Sequence, residues 1–590
     1  MNAHWLICAG CRQLVHRRRY EAAGKVCPQC GLHARLTAQE RLDHLLDAGS
    51  AAPVRVATTR DDPLRFADRR PYAQRLSAAR QATGMRAAAV AATGSIHGRR
   101  LVVVAMDFRF LGGSLGMAEG ECVTSAARTA LRERIPLLVV TASGGARMQE
   151  GALSLMQMAR CSQALARLDE AGVLTVCLVT DPTYGGVAAS IATLTDVILA
   201  EPGARMGFAG PRVIEQTIGQ RVPEGLQTAT SLFAGGLIDA VQPRATLRTA
   251  LARLLAATGQ ARPHGRDTAD ASDDGTGGTG GTGGTGGTGG TGGTDGTGDD
   301  TGDGTSAGDD VPAVEGLAEP TSDDPWQIVH RARHPDRPST LDYAGYLLEE
   351  FHELHGDRAH GDCPAIVGGP GLLDGRPVML IGHQKGRTTG ERIRRSFGMP
   401  SPAGYRKAAR LMRLAAKLGL PVLTFVDTPG AHPGVEAEQD GQAWAISRNL
   451  RLMSALPVPI VAVFTGEGGS GGALALAVAD RVLALSNATY SVISPEGCAA
   501  ILWRSAEAAP EAAAALRLDA RHLLEQGIVD AVIPEPPGGA HVQPAATAES
   551  IRPVVAAALS RLAGQPAAEL LRERRRRYAR FGSGAEGSLA

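Results

Sequence analysis

Four cysteines near the start of the chain have the spacing of a metal site. Two Cys-x-x-Cys pairs, Cys8 with Cys11 and Cys27 with Cys30, are separated by fifteen residues. Thiolate sulfurs in this pattern can surround one Zn²⁺ ion tetrahedrally, at about 2.3 Å each. The alternative is a pair of disulfides, which we disfavour because the N-terminus lacks the basic and apolar layout of a secretory signal. We predict a structural four-cysteine zinc ribbon over residues 1–45 of a cytoplasmic protein.

Glycine turns offer a second kind of chemistry, because they follow apolar runs in both halves of the chain. In the first half, a run that begins at Ile135 ends in Ser-Gly-Gly-Ala at 143–146, and a later run leads to Gly185 and Gly186. A strand that ends in glycine and starts a helix leaves backbone N–H groups unpaired at the positive end of the helix dipole. Two such amides aimed at one oxygen form an oxyanion hole. The alternative is that glycine merely lets a helix pack closely against a strand.

The second half of the chain repeats this pattern at nearly the same spacing. The interval from Gly145 to Gly186 is only one position shorter than the interval from Gly430 to Gly472. An aspartate and a third short apolar run follow in each half. Two matched modules indicate an internal duplication. The duplication favours a functional interpretation of the turns over simple packing.

The elements that must position these turns are strands and helices of an α/β fold. The apolar runs before the turns, at Ile135–Val140 and Leu420–Val426, are typical of buried strands. A helical pattern follows the first turn from Met148 to about Asp169. The same order of strand, turn and helix in both halves predicts two α/β domains.

A chain of 590 residues exceeds one ordinary domain, and a change in composition indicates where its two halves divide. Residues 265–321 are rich in glycine, threonine and aspartate and cannot build a core. We expect a flexible linker there, with an end-to-end distance of about 40 Å. The expected domains are the ribbon (1–45), a first α/β domain (46–264), the linker (265–321) and a second α/β domain (322–590).

Several classes of protein are disfavoured by the composition and by missing motifs. The 61 basic and 60 acidic side chains leave a net charge of +1, so the bulk charge indicates no polyanionic partner. No apolar run is long enough to cross a membrane. The Gly24-Lys25 pair is followed by Val26, which excludes a nucleotide phosphate loop, and no lysine has the Met-Lys-Met setting of a biotin acceptor. A dinucleotide fold is a weak competitor, because no strand leads into Gly-x-Gly-x-x-Gly.

Longer runs around the glycine turns carry a family resemblance. In the first half they are Phe110-Leu111-Gly112-Gly113-Ser114, Ser143-Gly144-Gly145-Ala146-Arg147-Met148-Gln149-Glu150 and Gly207-Phe208-Ala209-Gly210-Pro211-Arg212. In the second half they are His383-Gln384-Lys385-Gly386-Arg387, Asp427-Thr428-Pro429-Gly430-Ala431 and Gly466-Glu467-Gly468-Gly469-Ser470-Gly471-Gly472-Ala473. With the cysteine pairs, these runs make the chain resemble the carboxyltransferase of bacterial acetyl-CoA carboxylase, with its beta-type and alpha-type subunits fused into one polypeptide.

The resemblance implies two crotonase-type (ClpP/crotonase-like) domains and a defined reaction. The carboxyl group would pass from carboxybiotin, held on a separate biotin carboxyl carrier protein, to acetyl-CoA, giving malonyl-CoA in the first committed step of fatty acid synthesis. A separate biotin carboxylase would bind ATP, so the missing nucleotide and biotin motifs are expected absences. The family builds each site between a beta-like and an alpha-like surface, which implies at least a homodimer.

The resemblance also assigns roles to the turn residues. Gly144 and Gly145 would hold the thioester oxygen, and Gly471, Gly472 and Ala473 would hold the ureido oxygen of biotin. The biotin anion would itself take the α proton, so that no side-chain base is required. The remaining candidate catalytic residues of the same turns are Gly185, Gly186 and Gly430.

Charged side chains near the turns have candidate roles of their own. Those that could bind the phosphates of coenzyme A are Arg147, Lys385, Arg387, Arg392, Arg394 and Arg395. Each of them is equally well explained as a solvated surface charge. Glu150 and Glu467 could form the acid/base pair of a hydratase, although structural hydrogen bonding is the favoured interpretation. His432 stands where the family more often has an aromatic residue, and its role is left open.

Other functions stay open as alternatives. A different crotonase-type acyl-CoA enzyme, such as a hydratase, thioesterase or decarboxylase, would need one acyl site and leave the other module unexplained. A preference for propionyl-CoA would depend on pocket shape near Ala475 and Gly186. A nucleic-acid regulator would use Arg17, Arg18 and Arg19 of the ribbon, but arginines at such positions more often face solvent.

Overall fold

The structure is a computed structural model that describes residues 4–219, 221–258 and 324–582. The linker expected over 265–321 lies outside the described residues. We call residues 4–258 the first half and residues 324–582 the second half. All of the described residues belong to one compact unit.

The cysteine-rich segment begins the first half with an antiparallel hairpin, in which Trp5 lies opposite His16. Its strands and helices are β1 (Trp5–Ile7), β2 (Leu14–His16), α1 (Arg17–Ala22) and α2 (Ala38–Leu45). Helix α2 begins with a capping box, because the Thr37 hydroxyl accepts from the Glu40 N–H and the Glu40 carboxylate accepts from the Thr37 N–H.

A buried ion cluster fastens this segment to the body of the first half. The Glu201 carboxylate accepts from Arg41 and from Arg244, each at 2.6 Å. Arg244 also donates to the carbonyl oxygen of Ala34. Burial alone would raise the pKa of Glu201, but hydrogen bonds from Arg244 and Arg41 together with the Arg41 charge hold that pKa well below its usual range.

The body of the first half is an eight-stranded sheet in the order β10-β8-β7-β6-β5-β4-β3, with β9 paired to β7. Pairing is parallel except at β5-β4 and β4-β3. The strands are β3 (Ala52–Pro53), β4 (Ala89–Ile96), β5 (Arg99–Met106), β6 (Leu137–Ser143), β7 (Thr175–Tyr184), β8 (Val197–Ala200), β9 (Met206–Gly207) and β10 (Ala240–Val241). The helices are α3 (Tyr72–Thr83), α4 (Met117–Glu133), α5 (Gly151–Glu170), α6 (Gly185–Ala188), α7 (Pro211–Ile218), α8 (Ala229–Ala234) and α9 (Arg244–Ala256).

The second half contains a seven-stranded sheet in the order β11-β12-β13-β14-β15-β17, with β16 paired to β14. Pairing is parallel except at β11-β12. The strands are β11 (Ile366–Leu373), β12 (Arg376–His383), β13 (Val422–Thr428), β14 (Ile460–Gly469), β15 (Arg481–Leu485), β16 (Thr489–Ser491) and β17 (Ala531–Ile533). The helices are α10 (Pro325–Ala332), α11 (Thr340–Leu347), α12 (Thr389–Arg394), α13 (Pro402–Leu418), α14 (Val435–Gln439), α15 (Gln442–Ala455), α16 (Ser470–Leu474), α17 (Pro495–Leu502), α18 (Ala509–Leu516), α19 (Ala520–Glu525), α20 (Pro544–Ala563) and α21 (Ala567–Ala579).

The strands before the glycine turns are fully buried, as the apolar runs predict. Every residue of β6 and every residue of β13 is buried. Parallel sheets that are covered by helices on both faces require this unbroken apolar pattern. The helix predicted after the first turn is also present, although it begins as a short 3-10 turn at Met148–Glu150 and becomes α-helical at Gly151.

The two sheets contain one module twice, at a constant offset. Strand β6 (137–143) corresponds to β13 (422–428), and β7 (175–184) corresponds to β14 (460–469), with the same interval between every pair of starts and ends. That interval also relates the starts of α6 and α16, at positions 185 and 470. Gly186 therefore corresponds to Gly471, not to Gly472 as the sequence spacing suggests, and the two turns of each copy are equally far apart in the chain.

The two halves pack against each other, with α5 of the first half against α15 of the second. The Thr193 and Ser447 hydroxyls are hydrogen-bonded across this interface at 2.9 Å. The Gln157 side chain donates to the carbonyl oxygen of Phe581 at 2.8 Å. These contacts bring the glycine turns of the two halves to neighbouring positions.

Candidate active site

The first corner consists of residues 143–146 after β6 and residues 185–187 at the start of α6. The Gly144 N–H donates to the Gly112 carbonyl oxygen at 2.9 Å. The Gly145 N–H donates to the Ser143 hydroxyl at 3.1 Å. The two amides that the family resemblance assigns to the thioester oxygen are thus engaged inside the protein.

The second corner consists of residues 428–431 after β13 and residues 470–472 at the start of α16. Pro429 stands at the position of Gly144, and proline has no backbone N–H to donate. The Gly430 N–H donates to the Thr428 hydroxyl at 3.1 Å, as Gly145 does to Ser143 in the first corner. The first two positions of the turn therefore offer no free amide in either corner.

The next residue in each turn has an amide that is not engaged. Among the described residues, no acceptor hydrogen-bonds the N–H of Ala146 or that of Ala431. In the first corner the Leu115 backbone bonds the Gly145 carbonyl oxygen and the Arg147 N–H, one on each side of Ala146. Because the bonding positions alternate along an extended segment, the N–H of Ala146 points away from the segment that contains Leu115.

The helix starts supply the matching amides. Gly186 in α6 and Gly471 and Gly472 in α16 lie in the first helical turn, where N–H groups lack intrahelical partners. No acceptor for these three amides is found in the described part of the chain. Ala473 follows in the same turn of α16 and is buried.

Both helices begin with a residue in the left-handed region. Gly185 has φ 56° and Ser470, at the same position of the second copy, has φ 53°. A non-glycine residue in this region indicates strain that the surrounding structure must maintain. The Gly185 N–H is itself engaged, because it donates to the Phe208 carbonyl oxygen at 3.1 Å. The repeated backbone shape turns the chain sharply from strand into helix, so that the first-turn amides emerge at the strand end.

Two residues of the first half, Met158 and Phe208, lie against both corners. A Cβ atom built on Gly186 would lie 3.1 Å from Sδ of Met158, and one built on Gly471 would lie 3.1 Å from Cε of the same methionine. The Cβ position of Gly471 also lies 3.4 Å from the Phe208 ring. Met158 is 1% exposed. The corners are therefore neighbours: Met158 contacts both, and Phe208 contacts the second corner through its ring and the first through its carbonyl oxygen.

The glutamates near the corners are hydrogen-bonded within the protein. Glu150 is buried and accepts from the Tyr72 hydroxyl at 2.7 Å and from the Met117 N–H at 2.6 Å. Burial raises the pKa of Glu150, although the Arg147 charge opposes that rise. Glu467 accepts from Arg333 at 2.8 Å. Glu150 and Glu467 are therefore hydrogen-bonded within the protein, as expected if their role is structural.

Arg147 is a correction to the set of candidate phosphate ligands. Its side chain is 2% exposed and its guanidinium donates to Ser114, to Glu119 at 2.9 Å and to Glu150 at 3.5 Å. Burial would lower the pKa of Arg147, but these carboxylates raise it well above its usual range. Because the N–H groups of this buried guanidinium all have acceptors within the protein, Arg147 cannot bind a phosphate from solvent. The local sequence around Arg147, three residues before Glu150, does not indicate that the side chain is buried.

The other candidate cations lie in or near α12 and are partly or fully accessible. Lys385 bonds Asp427 at 2.6 Å, and Arg387 pairs with Asp342. The side chains of Arg392 and Arg395 donate to the backbone carbonyls of Pro335 and Pro364. Arg394 is exposed. These five side chains keep enough exposure to meet a ligand.

His432 lies directly after the second corner and is half-buried. Its backbone N–H donates to the Pro400 carbonyl oxygen, and its Nδ1 accepts from the Gly434 N–H at 3.1 Å. Burial lowers the pKa of His432, so that the ring is neutral near pH 7. The histidine therefore shapes the loop after the corner.

The four cysteines of the N-terminal segment meet at one point. The Sγ atoms of Cys8, Cys11, Cys27 and Cys30 all lie within 4.8 Å of one another. None of them forms a disulfide. The cluster could hold a metal ion, because four thiolates at such distances fit a tetrahedral site.

No helix in the described ranges is both long and apolar enough to span a bilayer.

Comparisons with known proteins agree with this arrangement. A family model described as "Carboxyl transferase domain" matches residues 33–234, and one described as "Acetyl co-enzyme A carboxylase carboxyltransferase-like" matches residues 321–582. A protein of Parafrankia sp. (strain EAN1pec), named acetyl-coenzyme A carboxylase carboxyl transferase subunits beta/alpha, is 60% identical over 582 residues, which cover 99% of this chain and 92% of the relative. A protein of Salinispora tropica with the same name is 53% identical over 590 residues, covering 99% and 98%. The alpha subunit of Pseudomonas paraeruginosa is 58% identical over 258 residues, covering 44% of this chain and 82% of that subunit. The chain belongs to the acetyl-CoA carboxylase carboxyltransferase family, with the beta and alpha parts in one polypeptide.

Proposed function

We propose that the two corners are twin oxyanion sites that transfer the carboxyl group of carboxybiotin, on a separate biotin carboxyl carrier protein, to acetyl-CoA. The observation that carries the proposal is the set of unengaged amides, two in the first corner and three in the second, at neighbouring corners that both contact Met158 and Phe208. Two anions must be stabilised in such a transfer, one on the thioester and one on the ureido group. A duplicated module supplies one corner for each.

The first corner holds the thioester oxygen through the amides of Ala146 and Gly186. The second corner holds the ureido oxygen through the amides of Ala431, Gly471 and Gly472. Preorganised N–H donors of this kind lower the barrier by about 3 kcal/mol for each donor that the transition state uses. Gly144, Gly145 and Gly430 then serve to shape the turns, and Ala473 continues the helix of the second corner.

Proton transfer in this proposal does not use a side-chain carboxylate. Glu150 and Glu467 are held by Tyr72 and Arg333, so neither is free to take the α proton. The ureido nitrogen that loses the carboxyl group is the base. The chain contributes orientation and charge stabilisation, which supply most of the rate enhancement in such reactions.

The remaining assignments complete the proposal. Both α/β bodies are crotonase-type domains with the boundaries 46–264 and 322–590. The four cysteines hold Zn²⁺ as a structural ribbon, since an all-thiolate set without a free position suits a structural site. Lys385, Arg387, Arg392 and Arg395 are the cations offered to coenzyme A. The working enzyme is at least a dimer and receives carboxybiotin that a separate biotin carboxylase has charged.

The reverse reaction tests the function directly. Purified protein with its metal content measured is mixed with malonyl-CoA and biocytin, and acetyl-CoA is followed with time. The proposal expects acetyl-CoA that depends on biocytin, and propionyl-CoA formation from methylmalonyl-CoA measures the acyl preference. Absence of turnover in folded protein that contains zinc would contradict the proposal. Acetyl-CoA formed equally without biocytin would instead indicate a decarboxylase.

A further inference from the structure

We propose that Glu438 is a positioning residue that sets the two corners relative to each other by holding residues 207–210 of the first half. This inference rests on the proposed function. Glu438 lies in α14 of the second half and is buried. Its partners lie in the first half, so the contact crosses between the two modules.

The carboxylate receives two consecutive backbone amides. Glu438 Oε2 accepts from the Phe208 N–H at 2.9 Å, and Oε1 accepts from the Ala209 N–H at 2.6 Å. Gly207 allows this approach, because a Cβ atom there would lie 2.7 Å from Oε2. Charge-assisted bonds of this kind are about twice as strong as neutral ones. The contact thus fixes the backbone at Phe208 with respect to α14.

The backbone that Glu438 holds touches both corners. The Phe208 carbonyl oxygen accepts the Gly185 N–H in the first corner, and the Phe208 ring packs on Gly471 in the second. Gln227 supports the same loop from the first half by donating to the Ala209 carbonyl oxygen at 2.8 Å. A shift of Phe208 would therefore change the separation between the two anion sites.

The charge of Glu438 depends on pH near neutrality. Burial raises the pKa of Glu438 to about 7, although the two backbone amides oppose the rise. The groups that face it are the neutral Gln227 amide and the Tyr184 phenol, and burial raises the pKa of Tyr184 to about 12. Arg205 and Asp181, which influence Tyr184, pair with each other at 2.7 Å. Above pH 7 the carboxylate accepts both amides, whereas below pH 7 the protonated form directs an O–H toward one N–H donor.

The test uses the full-length chain and Glu438→Gln, which has the size of the protonated carboxyl group. In the reverse reaction with malonyl-CoA and biocytin, wild-type kcat should fall on the acid side of an inflection near pH 7. Glu438→Gln should have a kcat about ten-fold lower at pH 8, should lose that inflection, and should change both KM values less than about three-fold. Glu436→Gln removes a charge from the exposed side of the same helix and should behave as wild type.

Two results of the turnover and melting measurements would overturn the inference. One is a Glu438→Gln enzyme that keeps the wild-type kcat and inflection. The other is a variant whose melting temperature and kcat both fall while the inflection stays, which would indicate a merely structural role. Hydrogen exchange at Phe208 and Ala209 gives a readout that does not need turnover: exchange, corrected for intrinsic rate, should be faster in the variant at pH 8. If wild type has no turnover the proposed function fails, while unchanged exchange would refute the Glu438 contact itself.

Discussion

Proline substitution separates the two possible assignments of the first corner. Gly144→Pro removes the N–H that bonds Gly112, whereas Ala146→Pro removes an N–H that has no partner among the described residues. Pro429 already occupies the position of Gly144 in the second corner, and Ser143, like Thr428 before Pro429, is extended strand backbone that tolerates a following proline. The two variants therefore differ in which amide they delete.

The magnitudes follow from the partners of the two amides. Gly144→Pro loses one hydrogen bond of an exposed turn, which is worth about 1 kcal/mol of stability. Proline also lowers the conformational entropy of the unfolded chain, which offsets about half of that loss. Ala146→Pro loses one oxyanion donor, about 3 kcal/mol of transition-state stabilisation or roughly a hundred-fold in kcat. We expect Gly144→Pro to retain turnover within a few-fold of wild type and Ala146→Pro to lose about a hundred-fold.

The assay is the biocytin-dependent conversion of malonyl-CoA to acetyl-CoA, with melting temperatures measured in parallel. Both variants should remain folded, so that a kcat comparison is valid. A hundred-fold loss in Gly144→Pro with an unchanged melting temperature would refute our assignment and return the donor role to Gly144. Full activity in Ala146→Pro would refute it equally.

Three further predictions concern packing and charge. In Gly472→Ala the new Cβ overlaps the Ala431 amide nitrogen, so carboxyl transfer should fall at least about a hundred-fold, while Gly564→Ala, which adds a methyl group in open space, should be neutral in the same assay. Arg147→Leu leaves buried carboxylates without their cation and should lower the free energy of unfolding by about 3–5 kcal/mol, measured by urea titration; a loss below about 1 kcal/mol would contradict the network. The pKa of Glu201 is lowered in the folded state, so its contribution is complete above the unfolded pKa and declines as pH falls below about 4.5. Glu201→Gln should therefore be less stable at pH 7 and lose less on acidification, and parallel melting curves from pH 7 to 3 would exclude this linkage.

Local patterns are sufficient to predict the strands that lead into the glycine turns, and the turns themselves. The runs Leu137–Ser143 and Val422–Thr428 are apolar enough to be buried on both faces, and glycine marks where each strand ends. The repeated spacing predicted the duplication, although the constant offset shows that Gly186 corresponds to Gly471. Such features depend on neighbours in the chain, which is why the sequence contains them.

The identity of the free amides depends on contacts that are distant in sequence. The Gly144 N–H bonds the carbonyl oxygen of Gly112, which lies before α4 and β6 in the chain. A local sequence pattern cannot predict a bond between residues so far apart. Pro429 in the second copy has no backbone N–H, which indicates that its counterpart Gly144 does not have a donor role common to both copies. A position-by-position match of the two copies favours Ala146 and Ala431 instead.

The burial of charged side chains cannot be predicted from the sequence either. Arg147 is enclosed by Glu119 of α4 and by Glu150, and Glu438 reaches a loop in the opposite half of the chain. Arginine and glutamate are usually exposed, so a sequence pattern favours a surface position for them. Packing within the first half encloses Arg147, and packing between the two halves encloses Glu438.

A crystal structure of the chain with acetyl-CoA and biotin bound would test the twin-corner account most directly. We predict that the thioester oxygen lies about 3 Å from the amide nitrogens of Ala146 and Gly186, and the ureido oxygen about 3 Å from those of Ala431 and Gly471. Met158 should stand between the two ligands. Oxygens bound instead at Gly144 or to side chains, or ligands in two cavities without a common wall, would contradict it.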